Sequence, residues 1–231
     1  LVGYSGFSAS NYLEQPYNAD LDFGTGDFSV MGWVKASAVG DFIAYRSATG
    51  SNVYLYIDGS GFLEFGTTGP SNNYLKSTST VTSGAWVFVA AYRQAGVKYV
   101  SINGQVQNSA AYNFNLTGSP DGSLTVGCGV GQAGPLAGSL ALLRISATAP
   151  TAAQIAKMYS DEKFLFQTGS QSTLYGTSDA VTALAHDSAT DLLHAGTSQG
   201  RSVFQGLRRV DNTTDAVGAA ISASNGLVAE D

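Results

Sequence analysis

The sequence predicts an all-β fold: an antiparallel β-sandwich with one short helix, followed by a small C-terminal β unit. Three observations carry this. Short apolar runs recur up to about residue 147 of the 231, each closed by Gly, Asn, Asp or Ser. The chain holds 28 glycines and only 12% charged residues, against about a quarter in an average protein, which suits short strands joined by tight turns. Helical spacing is convincing only over 151–159.

The elements follow in order. Residues 28–35 and 41–45 have strand composition. Residues 52–58 have the strongest strand composition, with Val53, Leu55 and Ile57 on one side and Tyr54 and Tyr56 on the other. Asp58-Gly59 reads as a turn into a hairpin partner at 61–65. Residues 86–92 and 97–102 form the next pair, and Asn103-Gly104 signals a further hairpin. Residues 124–126 and 138–145 close the set. In the helix, Thr151 is the expected N-cap, and Ile155, Met158 and Tyr159 share a face. The charged run Asp161-Glu162-Lys163 marks the expected boundary, giving domains 1–163 and 164–231. Trp33 and Trp86 are expected to be buried core residues.

Three of these stretches, in this order, resemble the laminin-G-like/pentraxin-like branch of the concanavalin superfamily. The first is 21–35, an apolar strand carrying Trp33. The second is 84–92 with 98–104, where the family has Trp, then His-Val-Ala, then a hairpin ending Tyr-Val-(Asp/Asn)-Gly. Phe88 replaces the family's His here, which assigns that position to packing. The third is 124–127, then 136–145, then the helix. The resemblance spans about residues 20–163 and implies a concanavalin-like sandwich, or jelly roll. It leaves function open, because that fold hosts lectins, adhesion modules and glycosidases alike.

Beyond residue 163, the stretches 179–187 and 191–204 resemble one blade of a β-propeller, with a Gly-Thr-x-x-Gly hairpin at 196–200. One blade exposes both sheet faces, and repeat arrays need about three units for stability. With an Ala/Ser/Gly/Val-rich stretch at 212–231, the expected remedy is other copies of the chain in a homotrimer. Sandwich and dependent tail together resemble bacteriophage tail-fibre and tailspike proteins. That resemblance implies an extracellular place in the virion tail and non-catalytic binding of a cell-surface glycan or other host receptor. A polysaccharide-degrading tail enzyme and a purely structural virion module are the alternatives. The chain opens at Leu1 without an initiator Met, as a processed product or a piece of a longer protein would.

The chemistry narrows the choice. A net charge of −6 argues against nucleic-acid binding, which needs clustered Lys and Arg. No apolar run approaches the roughly 20 residues that span a bilayer, so membrane insertion is not expected. Cys128 is the sole cysteine, so no intrachain disulfide forms, and its setting reads as a buried thiol. A retaining glycosidase needs two carboxyls about 5–5.5 Å apart; Asp58 and Glu64 are the nearest acids, split by a Gly-Ser-Gly turn. His186, Asp187, Asp191 and His194 lack metal-site spacing, and His186-Asp187 reads as a turn-forming pair near a strand end. No cofactor is assigned. Calcium is the ion weighed, at the loop residues Asp41 and Asp121, without the dense acidic loop that hard cations favour.

Recognition is the better reading. Sugar binding uses aromatic rings against CH groups and amides against hydroxyls. The candidate ligand residues are therefore Tyr54, Tyr56, Asn72, Asn73, Tyr74 and Tyr92, with core packing as the competing role for the aromatics.

Overall fold

A computed structural model describes residues 3–49, 51–68, 73–117, 122–166, 173–178 and 180–217. The chain divides into two compact units, Leu1–Lys163 and Phe164–Asp231.

The first unit runs β1 (Tyr4–Ser5), β2 (Leu13–Pro16), β3 (Phe28–Ala36), β4 (Asp41–Arg46), β5 (Val53–Ile57), β6 (Phe62–Thr67), β7 (Asn73–Thr80), β8 (Val87–Gln94), β9 (Val97–Ile102), β10 (Gln105–Ala111), β11 (Ser123–Val126), β12 (Gly138–Ser146) and α1 (Ala152–Glu162). The strands form two six-stranded antiparallel sheets, ordered β1-β12-β3-β8-β9-β10 and β2-β11-β4-β5-β6-β7. This is the predicted concanavalin-like sandwich. Phe28, Val30, Val34, Val89, Ala91 and Val100 from the first sheet meet Val53, Leu55, Ile57, Leu63 and Phe65 from the second in one apolar core.

Strands β3 and β8 are buried along nearly their whole length, because α1 covers the face of the first sheet turned away from that core. Trp33 contacts Phe88 with ring centroids 5.4 Å apart, and Tyr159 of the helix lies 5.8 Å from Trp33. The Trp33 indole Nε1 donates to Glu162 at 2.8 Å, and Arg144 pairs with the same carboxylate. Thr151 caps the helix in a reciprocal box with Gln154. The helix continues to Glu162, beyond the 159 expected, because its last turn supplies this carboxylate.

Phe88 is fully buried, so packing is what this position does. Trp86 differs from expectation: it precedes β8 and is only half-buried. Strand β12 bulges between Ala141 and Arg144, with Leu142 at φ 50°. Gly32 sits beneath that bulge, where a Cβ would come within 3.0 Å of the Leu143 backbone.

Both predicted hairpins form. Asn103 and Gly104 adopt φ 50° and 77°, the paired left-handed geometry of a type I′ turn. At the β5–β6 turn the left-handed residue is Gly61, not Gly59. The Asp58 carboxylate accepts N–H bonds from Ser60 at 2.8 Å and Phe62 at 3.0 Å, which closes the turn by a side chain. Cys128 is fully buried.

The second unit holds β13 (Val181–Asp187), β14 (Leu192–Thr197), β15 (Gly200–Gln205) and β16 (Arg208–Thr213), a four-stranded antiparallel meander in sequence order. Val203 and Phe204 are buried, whereas Leu184 is 66% exposed. Asp187 accepts from the Ala189 N–H and the Thr190 hydroxyl, the turn role read from the sequence. Among the described residues no helix is long and apolar enough to cross a membrane.

Candidate ligand-binding face

Four rings lie together on the face of the second sheet turned away from the core. In β5, alternation puts Tyr54 and Tyr56 on this side. In β4, Phe42 and Tyr45 join them although their spacing is odd. A bulge inserts Ile43 between the Phe42–Tyr56 and Ala44–Leu55 pairs, which returns Tyr45 to the side of Phe42. Phe42 stands 4.5 Å from Tyr56 and 5.4 Å from Tyr45, centroid to centroid, and Tyr45 and Tyr54 are near-parallel at 5.7 Å. All four rings are half-buried. Such contacts add about 0.5–1.5 kcal/mol each beyond burial, enough to hold the rings in place.

The neighbouring strands extend this surface. In β6, Gly66 pairs with Tyr54, and a Cβ on it would fall 1.8 Å from Tyr54 Cζ. The Tyr54 ring thus lies directly on the glycine backbone. Glu64 pairs with Tyr56 in one direction and with Lys76 of β7 in the other. The Tyr54 hydroxyl donates to Glu64 at 3.0 Å. Lys76 Nζ lies 2.7 Å from Asp58 and 3.4 Å from Glu64. Tyr74, 60% exposed, presents its ring 5.3 Å from the same ammonium.

The hydroxyls stay neutral over a wide range. Burial, then the Glu64 charge and hydrogen bond, hold Tyr54 far above the usual phenol value. Tyr56 is raised by burial and by Glu64, Asp58 and Asp41. Burial alone would raise Asp58, but the hydrogen bonds from Lys76, Ser60 and Phe62 outweigh it and bring its pKa below the ordinary value.

Of the residues singled out in the sequence, Tyr54, Tyr56 and Tyr74 come together here. Asn73 turns the other way, its backbone carbonyl and side-chain oxygen accepting from the buried Lys98 at 3.0 and 3.2 Å. Tyr92 is on the other sheet, 1% exposed and stacked 4.9 Å from Tyr99. Asn72 and Asp121 lie outside the described residues. Asp41 is buried and accepts the Ala137 N–H at 2.8 Å, with its pKa raised by burial. Its carboxylate ties β4 to the segment before β12. Among the described residues no three His, Cys, Asp or Glu converge as a metal site.

Phe42, Tyr45, Gly66 and Lys76 were missed as site residues, and Glu64 was weighed only as a catalytic acid. The signal that could have found Phe42 and Tyr45 is an aromatic pair three apart in a strand, which requires a bulge to share a face.

The comparisons with known proteins follow the same fold. Residues 7–156 match a laminin-G family model described as "Concanavalin A-like lectin/glucanases superfamily". The chain belongs to this superfamily. No curated protein matches the chain. Among solved structures, the LG4-5 domains of the mouse laminin alpha1 chain align with a TM-score of 0.52 at 14% identity, over 63% of this chain and 42% of that one. The CBM40 of the Ruminococcus gnavus IT-sialidase, bound to alpha2,3 sialyllactose, aligns at 0.52 and 12% identity, over 66% and 99%. Domain 4 of AbnA, a GH43 extracellular arabinanase from Geobacillus stearothermophilus in complex with arabinotriose, aligns at 0.52 and 18%, over 66% and 74%. The chain spans less than half of the laminin structure. At these identities the likeness is one of fold.

Proposed function

We propose that the chain is a non-catalytic carbohydrate-binding domain whose ligand lies across the ring surface of β4–β7. The observation that carries this reading is the contiguous set Phe42, Tyr45, Tyr54 and Tyr56, bordered by the polar groups of Glu64, Lys76 and Tyr74. Apolar faces of sugar rings stack on such surfaces, and border groups read their hydroxyls. Structural neighbours solved with sialyllactose and with arabinotriose support carbohydrate as the ligand class without fixing its charge. Titration calorimetry against bacterial oligosaccharides tests it. Tyr45→Ala and Tyr56→Ala should each weaken binding tenfold or more, about 1.4 kcal/mol. Unchanged affinity in both variants would overturn the assignment of this face.

The finer setting is a bacteriophage tail fibre or tailspike in the virion, with a cell-surface glycan as host receptor and a homotrimeric assembly. Low charge and the exposed C-terminal meander support it. Adsorption of the protein to bacterial cells, abolished by Tyr56→Ala, is the expected result.

One observation favours an enzyme: Asp58 and Glu64, separated in sequence, both reach Lys76. A glycosidase needs one of its carboxyls to hold a proton for the leaving group. Asp58 instead serves the β5–β6 turn as a hydrogen-bonded anion. Release of reducing ends from polysaccharide, lost in Glu64→Gln, would reverse this reading in favour of the enzyme.

A further inference from the structure

We infer that this face selects uncharged glycans and discriminates against those carrying sialic or uronic acid carboxylates. The inference rests on the carbohydrate-binding reading and adds the ligand's charge class.

Its basis is the balance of charge around the rings. Two carboxyl groups, Asp58 and Glu64, border the rings around one ammonium, Lys76, and Glu64 also accepts from the Tyr54 hydroxyl. That ammonium is already engaged. It lies 2.7 Å from Asp58 and 3.4 Å from Glu64, and 5.3 Å from the Tyr74 ring. At most one of its three N–H donors is left over, and a carboxylate that reached it would sit beside two carboxylates that already outweigh its single charge.

The other nearby cations are turned inward. Arg46 follows Tyr45 in β4, so alternation sends it to the opposite side, where its guanidinium donates to the Leu116 carbonyl at 3.1 Å and lies over the Phe23 ring. Arg93 spends its donors on the carbonyls of Gly24, Gly26 and Phe114. Lys98 is enclosed between the sheets. The arginine fork that binds carboxylates in two parallel hydrogen bonds is thus not offered on this face among the described residues. Its border instead offers acceptors and hydroxyls, the groups that pair with sugar hydroxyls. Like charges in a partly desolvated site repel more strongly than in bulk water, and salt screens that repulsion.

The test is a panel of neutral oligosaccharides and the same backbones capped with sialic acid or a uronate, titrated against the full chain. The expected result is binding of neutral members, with each acidic counterpart at least tenfold weaker at 50 mM salt. The gap should narrow at 500 mM. Glu64→Gln should shift the acidic-to-neutral affinity ratio toward one. Acidic members binding as tightly as their neutral partners, or more tightly, would overturn the inference and leave the glycan reading standing. No binding by any member would remove both.

Discussion

Lys98 carries its amine into the interior of the sandwich. It is fully buried, donates to the Thr67 hydroxyl and to both Asn73 oxygens, and lies 4.6 Å from the Phe65 ring and 4.7 Å from Tyr112. These contacts do not replace hydration, and burial lowers its pKa from 10.5 to about 7. The unfolded lysine therefore binds more protons between about pH 7 and 10.5, so stability rises with pH across that window. Below pH 7 both states are protonated and the penalty is carried in full. Above about pH 10 the trend reverses, because Tyr45, Tyr54, Tyr56 and Tyr92 are raised by burial when folded, so the unfolded chain loses those protons first. Unfolding free energies from urea titration should increase from pH 6 to pH 9 by an amount on the order of a few kcal/mol, with the midpoints rising accordingly. Lys98→Met should flatten the rise, and a pH-independent midpoint in the native chain would refute the coupling. The pattern of β9 already places Lys98 on the side of Val100 and Ile102. What the sequence could not show is that the interior accepts a charge there, because three oxygens and two rings from distant segments make the site. Tyr54 and Tyr56 were legible for the opposite reason: period-two alternation within one strand fixes their side unaided.

At the scale of elements, local signals were readable and points of contact between elements were not. Asn103-Gly104 announces a hairpin by its dipeptide alone. That Gly104 also seats α1 appears only in three dimensions: a Cβ there would lie 2.9 Å from the Ala156 Cα and 3.2 Å from the Tyr159 Cβ. Gly104→Ala should therefore cost more than the turn strain, with a total of about 1–3 kcal/mol in thermal or urea denaturation. Asn103→Gly keeps the left-handed φ but removes the side-chain oxygen that accepts the buried Phe88 N–H at 3.0 Å, so it should cost about 1–3 kcal/mol for a separate reason. A loss below about 1 kcal/mol for Gly104→Ala would show that the helix seat contributes nothing. The bulges follow the same logic. Strand composition identified β4 and β12, but the extra residue at Ile43 and the kink at Leu142 depend on partner strands far away in sequence. The bulge in β4 is what makes Phe42 and Tyr45 part of the ring surface. The helix, capped by Thr151 and Gln154, was visible from its own few residues. Its role over Trp33 and Phe88 also explains why β3 shows no alternation to read, since both of its faces are covered.

At the scale of the whole molecule, the two units differ in how completely they bury their apolar groups. The first places Trp33, Phe28, Phe88, Tyr92, Ile43 and Leu55 at or near zero exposure, while Tyr74 and Val130 among others stay open to solvent. The second buries Val203 and Phe204 but leaves Leu184 at 66%, Val181 at 46% and Val210 at 42% exposure. Leu184 and Val181 both come from β13, which is an edge of its sheet. An edge strand with exposed apolar side chains offers unpaired backbone groups beside a dry surface, a combination that invites pairing with another chain. Closed rotational symmetry satisfies every such edge at once, whereas a heterologous contact that fails to close makes filaments. The homotrimer proposed above is one closed solution. Sedimentation equilibrium of the full chain at micromolar concentration should give the mass of three copies. Leu184→Glu with Leu193→Glu should give monomers that keep the far-ultraviolet signature of the native protein, because Leu184 makes little internal contact and Leu193 is partly exposed. Residues 1–163 should sediment as a monomer. A monomeric full chain would remove the trimer and, with it, the main support for a tail-fibre setting, while leaving the ring surface of β4–β7 and its glycan assay untouched.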